Sequence, residues 1–298
     1  MTIRIATAPV SWGILEISGW TWRRTYSEVL DEKVQAGFQG TELGPYGFLP
    51  VNPSELKQEL AKRNLSLLGA FLPLPLAHPD KREEGLRSAI EVLELLAGAG
   101  APFLVLADEM NPRRMNIAGS AAQTDGLTEE QWKRAAELIT DVAQRARGYG
   151  LRSAFHHHAG TYVETPPELD RLLALTDPSL VGVCLDTGHY FYGGGDPLEC
   201  VRTHRKRIWH LHLKDVQTGV LNDVRRQKVP YLEAVSRGVF CELGAGGVDI
   251  ARVLRELEQS GFDGWAVFEQ DIDPAQPGLN PVESAVRSRA YLRTAAGL

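Results

Sequence analysis

What most constrains this chain is an alternation repeated eight times: a short β-type run, then a longer stretch with apolar residues at helical spacing. The β-type runs are "IRIATAPV", "GTELG", "LSLLGAFL", "PFLVLADE", "SAFHHH", "VGVCLDTGH", "IWHLHLKD" and "GWAVFEQD". Between them lie helix-like segments such as "YSEVLDEKVQAGF" and "TEEQWKRAAELITDVAQRARGYG". Two starts carry clear caps. Asn52 precedes Pro53, an N-cap with proline in the first turn, and Thr128 with Gln131 three residues on is a capping box. No linker or low-complexity run divides the series. Eight β/α units in 298 residues predict one domain, a (β/α)8 TIM barrel with its site at the C-terminal ends of the strands. A doubly wound open sheet would want a glycine-rich first turn, and "APVSWGILE" is not one. "GAGG" at Gly244–Gly247 reads as a loop hinge, not a phosphate cradle.

Charge and cysteine usage remove several classes of function. The net charge is −6 and the densest basic run is the short "HRKR", so no nucleic-acid partner is expected. No apolar stretch reaches the ~18 residues of a membrane span, and "MTIRIATAPVSWG" is not a secretory leader. Cys184, Cys200 and Cys241 are scattered, without a C-x-x-C pair. The expectation is a reduced, cytoplasmic protein with no membrane partner.

The ends of five strands carry ionisable side chains: Glu42; His156, His157 and His158; Asp186 with His189 beyond; His210, His212, Lys214 and Asp215; Glu269 with Asp271 beyond. A single polar residue at a strand end is as often a half-exposed cap as a ligand. Five strands converging on imidazole and carboxylate point instead to a divalent metal and acid–base work. Alternation along a strand puts His156 and His158 on one face and His157 on the other. It likewise groups His210, His212 and Lys214 against Leu211 and Leu213. His157 is expected to face the helices as a satisfied structural histidine. The connection 216–247 is long for a loop and contains "PYLEAVSRG", enough for a short helix. It is expected to be a lid over the site, or otherwise a contact in a homo-oligomer.

"VCLDTGH", "HLHLKD" and "VFEQD" resemble the xylose isomerase-like superfamily of sugar isomerases and epimerases. "APVSWG", "GTELGPYGFLP" and "FHHHAGTYVET" are similar to its inosose dehydratases, which remove water from 2-keto-myo-inositol. The resemblance implies a small polyol or keto-sugar substrate and one divalent ion, Mn²⁺ or Co²⁺ first, with Zn²⁺, Fe²⁺ or Mg²⁺ as alternatives. It implies Asp186, His212 and Glu269 as metal ligands. At the position of the family's first glutamate this chain has His156, a departure that makes His156 the expected fourth ligand. A dehydratase wants an unlike acid–base pair: Glu269 as base, with His158 or His189 as acid. Glu42, Glu164 and Lys214 are then expected to bind substrate hydroxyls. Trp12 is either an apolar floor under the ring or a plug at the barrel mouth. The competing expectations are a keto-sugar isomerase or epimerase, an apurinic endonuclease, which the negative charge opposes, and a silent sugar-binding barrel.

Overall fold

Strands covered on both faces are largely apolar, and these are, apart from their ends and a few buried polar positions such as Ser153, His210 and His212. In the computed structural model, which describes residues 3–15, 17, 24–275 and 278–298, the first half runs β1 (Ile3–Thr7), α1 (Tyr26–Gln35), β2 (Gly40–Thr41), α2 (Pro53–Ala61), β3 (Ser66–Leu67), β4 (Gly69–Leu74), α3 (Arg82–Ala99), β5 (Phe103–Asp108), α4 (Pro112–Met115) and α5 (Glu129–Gly148). The second half runs β6 (Arg152–His156), α6 (Pro166–Leu175), β7 (Val181–Asp186), α7 (Thr187–Tyr192), α8 (Pro197–His204), β8 (Ile208–Leu213), β9 (Asp215–Val216), α9 (Thr218–Gln227), α10 (Tyr231–Ser236), β10 (Phe240–Cys241), α11 (Ile250–Gln259), β11 (Gly264–Phe268) and α12 (Pro281–Ala296).

The main sheet is parallel, in the order β3-β2-β1-β11-β8-β7-β6-β5-β4. Its two ends, β3 and β4, are parted only by Leu68 in the chain. They form one bent strand, so the sheet closes into a barrel. The expected third strand is therefore real but broken at a corner. The expected caps are present: Asn52 Oδ1 accepts from Ser54 N and Glu55 N at 3.0 and 3.1 Å, and Thr128 and Gln131 bond reciprocally.

Strand alternation splits the core in two. Leu104, Leu106, Phe155, Leu185, Leu211, Leu213 and Phe268 pack outward under the helices. Ala6, Leu68, Trp265 and Val267 form one cluster and Val105, Ala154 and Cys184 another, on the opposite face of the strands inside the barrel. The inner plug is low, which leaves the C-terminal end to polar side chains.

Between β8 and α11 the chain adds α9, α10 and an antiparallel β9–β10 pair. This insertion has its own apolar cluster, with Leu221, Val224, Tyr231, Val235 and Phe240 packed on Ala159 and Tyr192. The "GAGG" segment is not a free hinge. The Asp215 carboxylate accepts from Gly244 N, Gly246 N and Val248 N at 2.9, 3.1 and 3.0 Å. A Cβ at Gly246 would fall 2.3 Å from Asp215 Oδ1, so this clamp requires glycine there. No helix among the described residues is long and apolar enough to cross a membrane, and the three cysteines are free and buried.

Candidate active site and metal centre

Four strands deliver four buried donors to one point at the C-terminal end of the barrel. His156 ends β6, Asp186 ends β7, His212 lies on β8, and Glu269 follows β11 by one residue. His156 Nε2 is 3.4 Å from Asp186 Oδ2. His212 Nδ1 is 3.9 Å from that oxygen and 3.3 Å from Glu269 Oε2. Bonds of ~2.0–2.2 Å at the ~90–110° angles of a four- to six-coordinate ion place neighbouring ligands ~2.8–3.6 Å apart, so the two shorter spacings suit a metal with positions left open for substrate. An orphaned atom suits it too: among the described residues His212 Nδ1 has no hydrogen-bond partner, although two carboxylates face it. A mixed imidazole and carboxylate set fits Zn²⁺, Co²⁺, Mn²⁺ or Fe²⁺.

Glu42, one residue beyond β2, reaches across the barrel. Its Oε1 lies 2.6 Å from His210 Nε2 and 3.1 Å from His212 Nε2. Glu42 was expected to bind a substrate hydroxyl; this oxygen is instead committed to orienting His212. Burial raises the Glu42 carboxyl, but His212 and His210 outweigh it and hold the group well below the ordinary range. Burial also opposes charge on His212, yet Cys184, Glu269 and Glu42 draw it well above the usual imidazole value. A bound cation would answer the same carboxylates that here draw a proton onto His212.

Lys214 is the second cationic feature. Its Nζ is 2.7 Å from Asp271 Oδ1, 2.9 Å from His189 Nε2, 3.2 Å from Glu269 Oε2 and 3.3 Å from Asp186 Oδ2. Burial disfavours its charge, but Asp186, Asp271 and Glu269 more than compensate and raise it. The stem passes over Gly188, where a Cβ would meet Lys214 Cγ at 2.6 Å; this explains the glycine in "LDTGH".

A cavity of about 360 Å³ opens above this cluster. Glu42, His156, His158, Lys214, Glu269 and Asp271 line its floor, and Val10, Ile14, Phe71 and Met110 its apolar side. Tyr231 of the insertion also lines it and donates to Asp271 Oδ2 at 2.8 Å. His158 Nδ1 is 2.7 Å from the Ala159 carbonyl, which fixes the proton on Nδ1 and leaves the Nε2 lone pair free. Desolvation beside His189 and His156 holds the His158 imidazole well below its ordinary value, so it can take up a proton before it gives one as the expected acid.

Four other expectations change. Trp12 does not line the cavity; it is buried, and its Nε1 donates to Glu32 on α1 at 2.7 Å, so it is no floor for a ring. Glu164 is buried with both oxygens taken, by Gly119 N and Gly160 N, each at 2.7 Å. It ties two loops together and does not line the cavity, so it is not placed to bind a substrate hydroxyl. His189 lies off the cavity wall behind Lys214, with its Nδ1 accepting from Ala159 N at 3.3 Å, so it does not face the substrate space as expected of an acid. His157 does face outward and is fully buried, but neither ring nitrogen has a hydrogen-bond partner among the described residues; it packs edge-on against Tyr190. It is structural without being satisfied. Sequence reasoning left Asp271 and Tyr231 without roles. Alternation from Val267 through Glu269 would have placed Asp271 at the site; nothing local marks Tyr231.

Residues 30–295 match the family model described as xylose isomerase-like TIM barrel. An inosose dehydratase from Lacticaseibacillus casei is 32% identical over 98% of this chain and 97% of its own length. The rhizopine catabolism protein MocC of Rhizobium meliloti is 38% identical over 93% of this chain and 84% of its own. Among solved structures, the IolI protein with a bound zinc atom superposes with a TM-score of 0.76 over 99% of this chain and 98% of that one, at 14% identity, a likeness of fold. With the barrel, the quartet at its mouth and full-length relatives in agreement, the chain belongs to the xylose isomerase-like TIM barrel family.

Proposed function

We propose that the protein is a metal-dependent hydro-lyase that removes water from an inosose or a closely similar keto-cyclitol. The observation that carries the reading is the His158 imidazole on the cavity floor beside the donor quartet, with its Nε2 lone pair free to take a proton and return it. The full-length likeness to inosose dehydratases supports it.

His156, Asp186, His212 and Glu269 would hold one divalent ion. Bound there, the ion supplies Lewis acidity for a ketone oxygen and a neighbouring hydroxyl. Holding it, and facing His212 and Lys214, leaves Glu269 less basic than a free carboxylate. His158 is the better base. Its Nε2 takes the proton from the ring carbon beside the ketone, and that electron pair forms the new carbon–carbon double bond. The hydroxyl on the next carbon leaves with its bonding electrons. The His158 imidazolium, facing the Asp271 carboxylate, returns its proton to that hydroxide, and water departs. The product is a ring enol, the tautomer of a dione. Lys214 keeps a fixed positive charge beside the reacting oxygens.

The test is mass spectrometry of products from a panel of inososes and keto-sugars with Mn²⁺, Co²⁺ or Zn²⁺. Loss of one water from an inosose is expected. A product of unchanged mass would make the protein an isomerase or epimerase instead. His158→Ala should lower turnover by about 10²–10⁴-fold with metal content kept; Glu269→Gln should lose metal as well.

A further inference from the structure

Apart from the quartet, the barrel mouth holds a second donor cluster. His158, His189 and Asp271 each bring one donor atom to within 4.8 Å of the others, and the two imidazole rings approach to 3.8 Å between centroids. Two imidazoles and a carboxylate form a donor set for a borderline divalent ion. Two of the three are already oriented as metal ligands usually are. His158 gives its Nδ1 proton to the Ala159 carbonyl at 2.7 Å, and Asp271 Oδ2 accepts from Tyr231 OH at 2.8 Å. The cluster is not empty of charge. Lys214 Nζ sits in it, 2.7 Å from Asp271 Oδ1 and 2.9 Å from His189 Nε2, with its stem threaded over Gly188.

We infer that the Lys214 ammonium occupies a second cation site, formed by His158, His189 and Asp271, and that it limits this centre to one divalent ion. Three buried carboxylates, Asp186, Glu269 and Asp271, meet at this ammonium. Buried carboxylates need a paired charge close by. A lysine supplies it through a covalent tether, so the charge stays when free metal is scarce. A second metal would dissociate under the same conditions. The strength of the device is that the positive charge beside the substrate does not depend on metal supply. Its limit is that an ammonium carries one charge where a metal carries two.

The inference rests on the quartet as the first metal site, and the experiment separates the two. Wild type, Lys214→Ala, Lys214→Met and Lys214→Arg are saturated with Zn²⁺ or with Co²⁺, freed of excess by gel filtration, and analysed for metal per folded chain. Wild type should hold one ion. The Ala and Met variants should each hold one more than wild type, and the Arg variant no more than wild type. Adding His189→Ala to Lys214→Ala should bring the number back to that of wild type. A folded Lys214→Ala and a folded Lys214→Met that both hold no more ions than wild type would overturn the inference. Wild type with none and Lys214→Ala with one, lost again on His189→Ala, would sink the quartet reading and leave this one standing. If the neutral variants fold only with divalent metal present, they are counted with it, and a number no higher than wild type overturns the inference; if neither folds with or without metal, the inference fails.

Discussion

Glu42 Oε1 lies 3.1 Å from His212 Nε2, on the opposite edge of the ring from Nδ1, which faces Asp186 and Glu269. The two residues are 170 positions apart, and the closed barrel brings them together. A carboxylate behind a ligating imidazole fixes the ring and raises its donor strength. Glu42→Gln keeps the shape and weakens the acceptor. It should lower metal affinity by about 10–100-fold while all four ligands remain. Competition against a chromophoric chelator measures this, and an unchanged affinity would assign Glu42 to substrate instead.

His156 and His157 are adjacent and differ in everything that matters for a metal. His156 Nε2 faces Asp186, and His157 faces the helices with neither nitrogen partnered among the described residues. His156→Ala should cut metal affinity at least tenfold more than His157→Ala. His157→Phe should leave the melting temperature level or raise it, because an unsatisfied buried polar ring is replaced by an apolar one, a gain on the order of 1 kcal/mol. A clear loss of stability in His157→Phe would mean that the ring has a partner after all.

Glu164 gives a pH signature. Burial pushes its carboxyl up to about 7, against the lowering effect of the Gly160 and Gly119 amides. The folded state therefore binds a proton that the unfolded state releases near its ordinary value of ~4.3. Stability from this group is fully present below ~4.3 and is lost as pH rises toward 7. The total is on the order of 3 kcal/mol. Thermal melts of wild type and Glu164→Gln from pH 4 to 8 should diverge in slope, with the variant flatter over that window. Parallel curves would rule out the raised carboxyl.

Tyr231 tests whether the insertion acts on the chemistry or only covers the barrel. Its hydroxyl donates to Asp271 Oδ2, and Asp271 in turn holds Lys214. Tyr231→Phe keeps the ring in its apolar cluster and removes only this bond. Turnover should fall about 10–100-fold with KM little changed, since a net charge-assisted hydrogen bond is worth ~1.5–3 kcal/mol. Equal kcat in the two proteins would reduce the insertion to packing.

Much of the site was legible in the sequence because strand geometry is local. A side-chain period of two puts His210, His212 and Lys214 on one face from "HLHLKD" alone, and the structure has Leu211 and Leu213 on the other. The same rule sends His156 inward and His157 outward. The eight-fold alternation determined the barrel, and the barrel determined that strand ends would converge. Period alone does not say which residue meets which across the lumen, because that depends on stagger between strands and on loop paths. Only the tertiary structure turned Glu42 onto His212 and bent the third strand at Leu68. Only it rotated Trp12 out toward Glu32, and spent both oxygens of Glu164 on loop amides. Lys214 was expected near substrate, and its place between two donor clusters came from five elements meeting at one point. The sequence by itself determined faces and strand ends; pairings between distant strands and loops were decided by how the sheet closes.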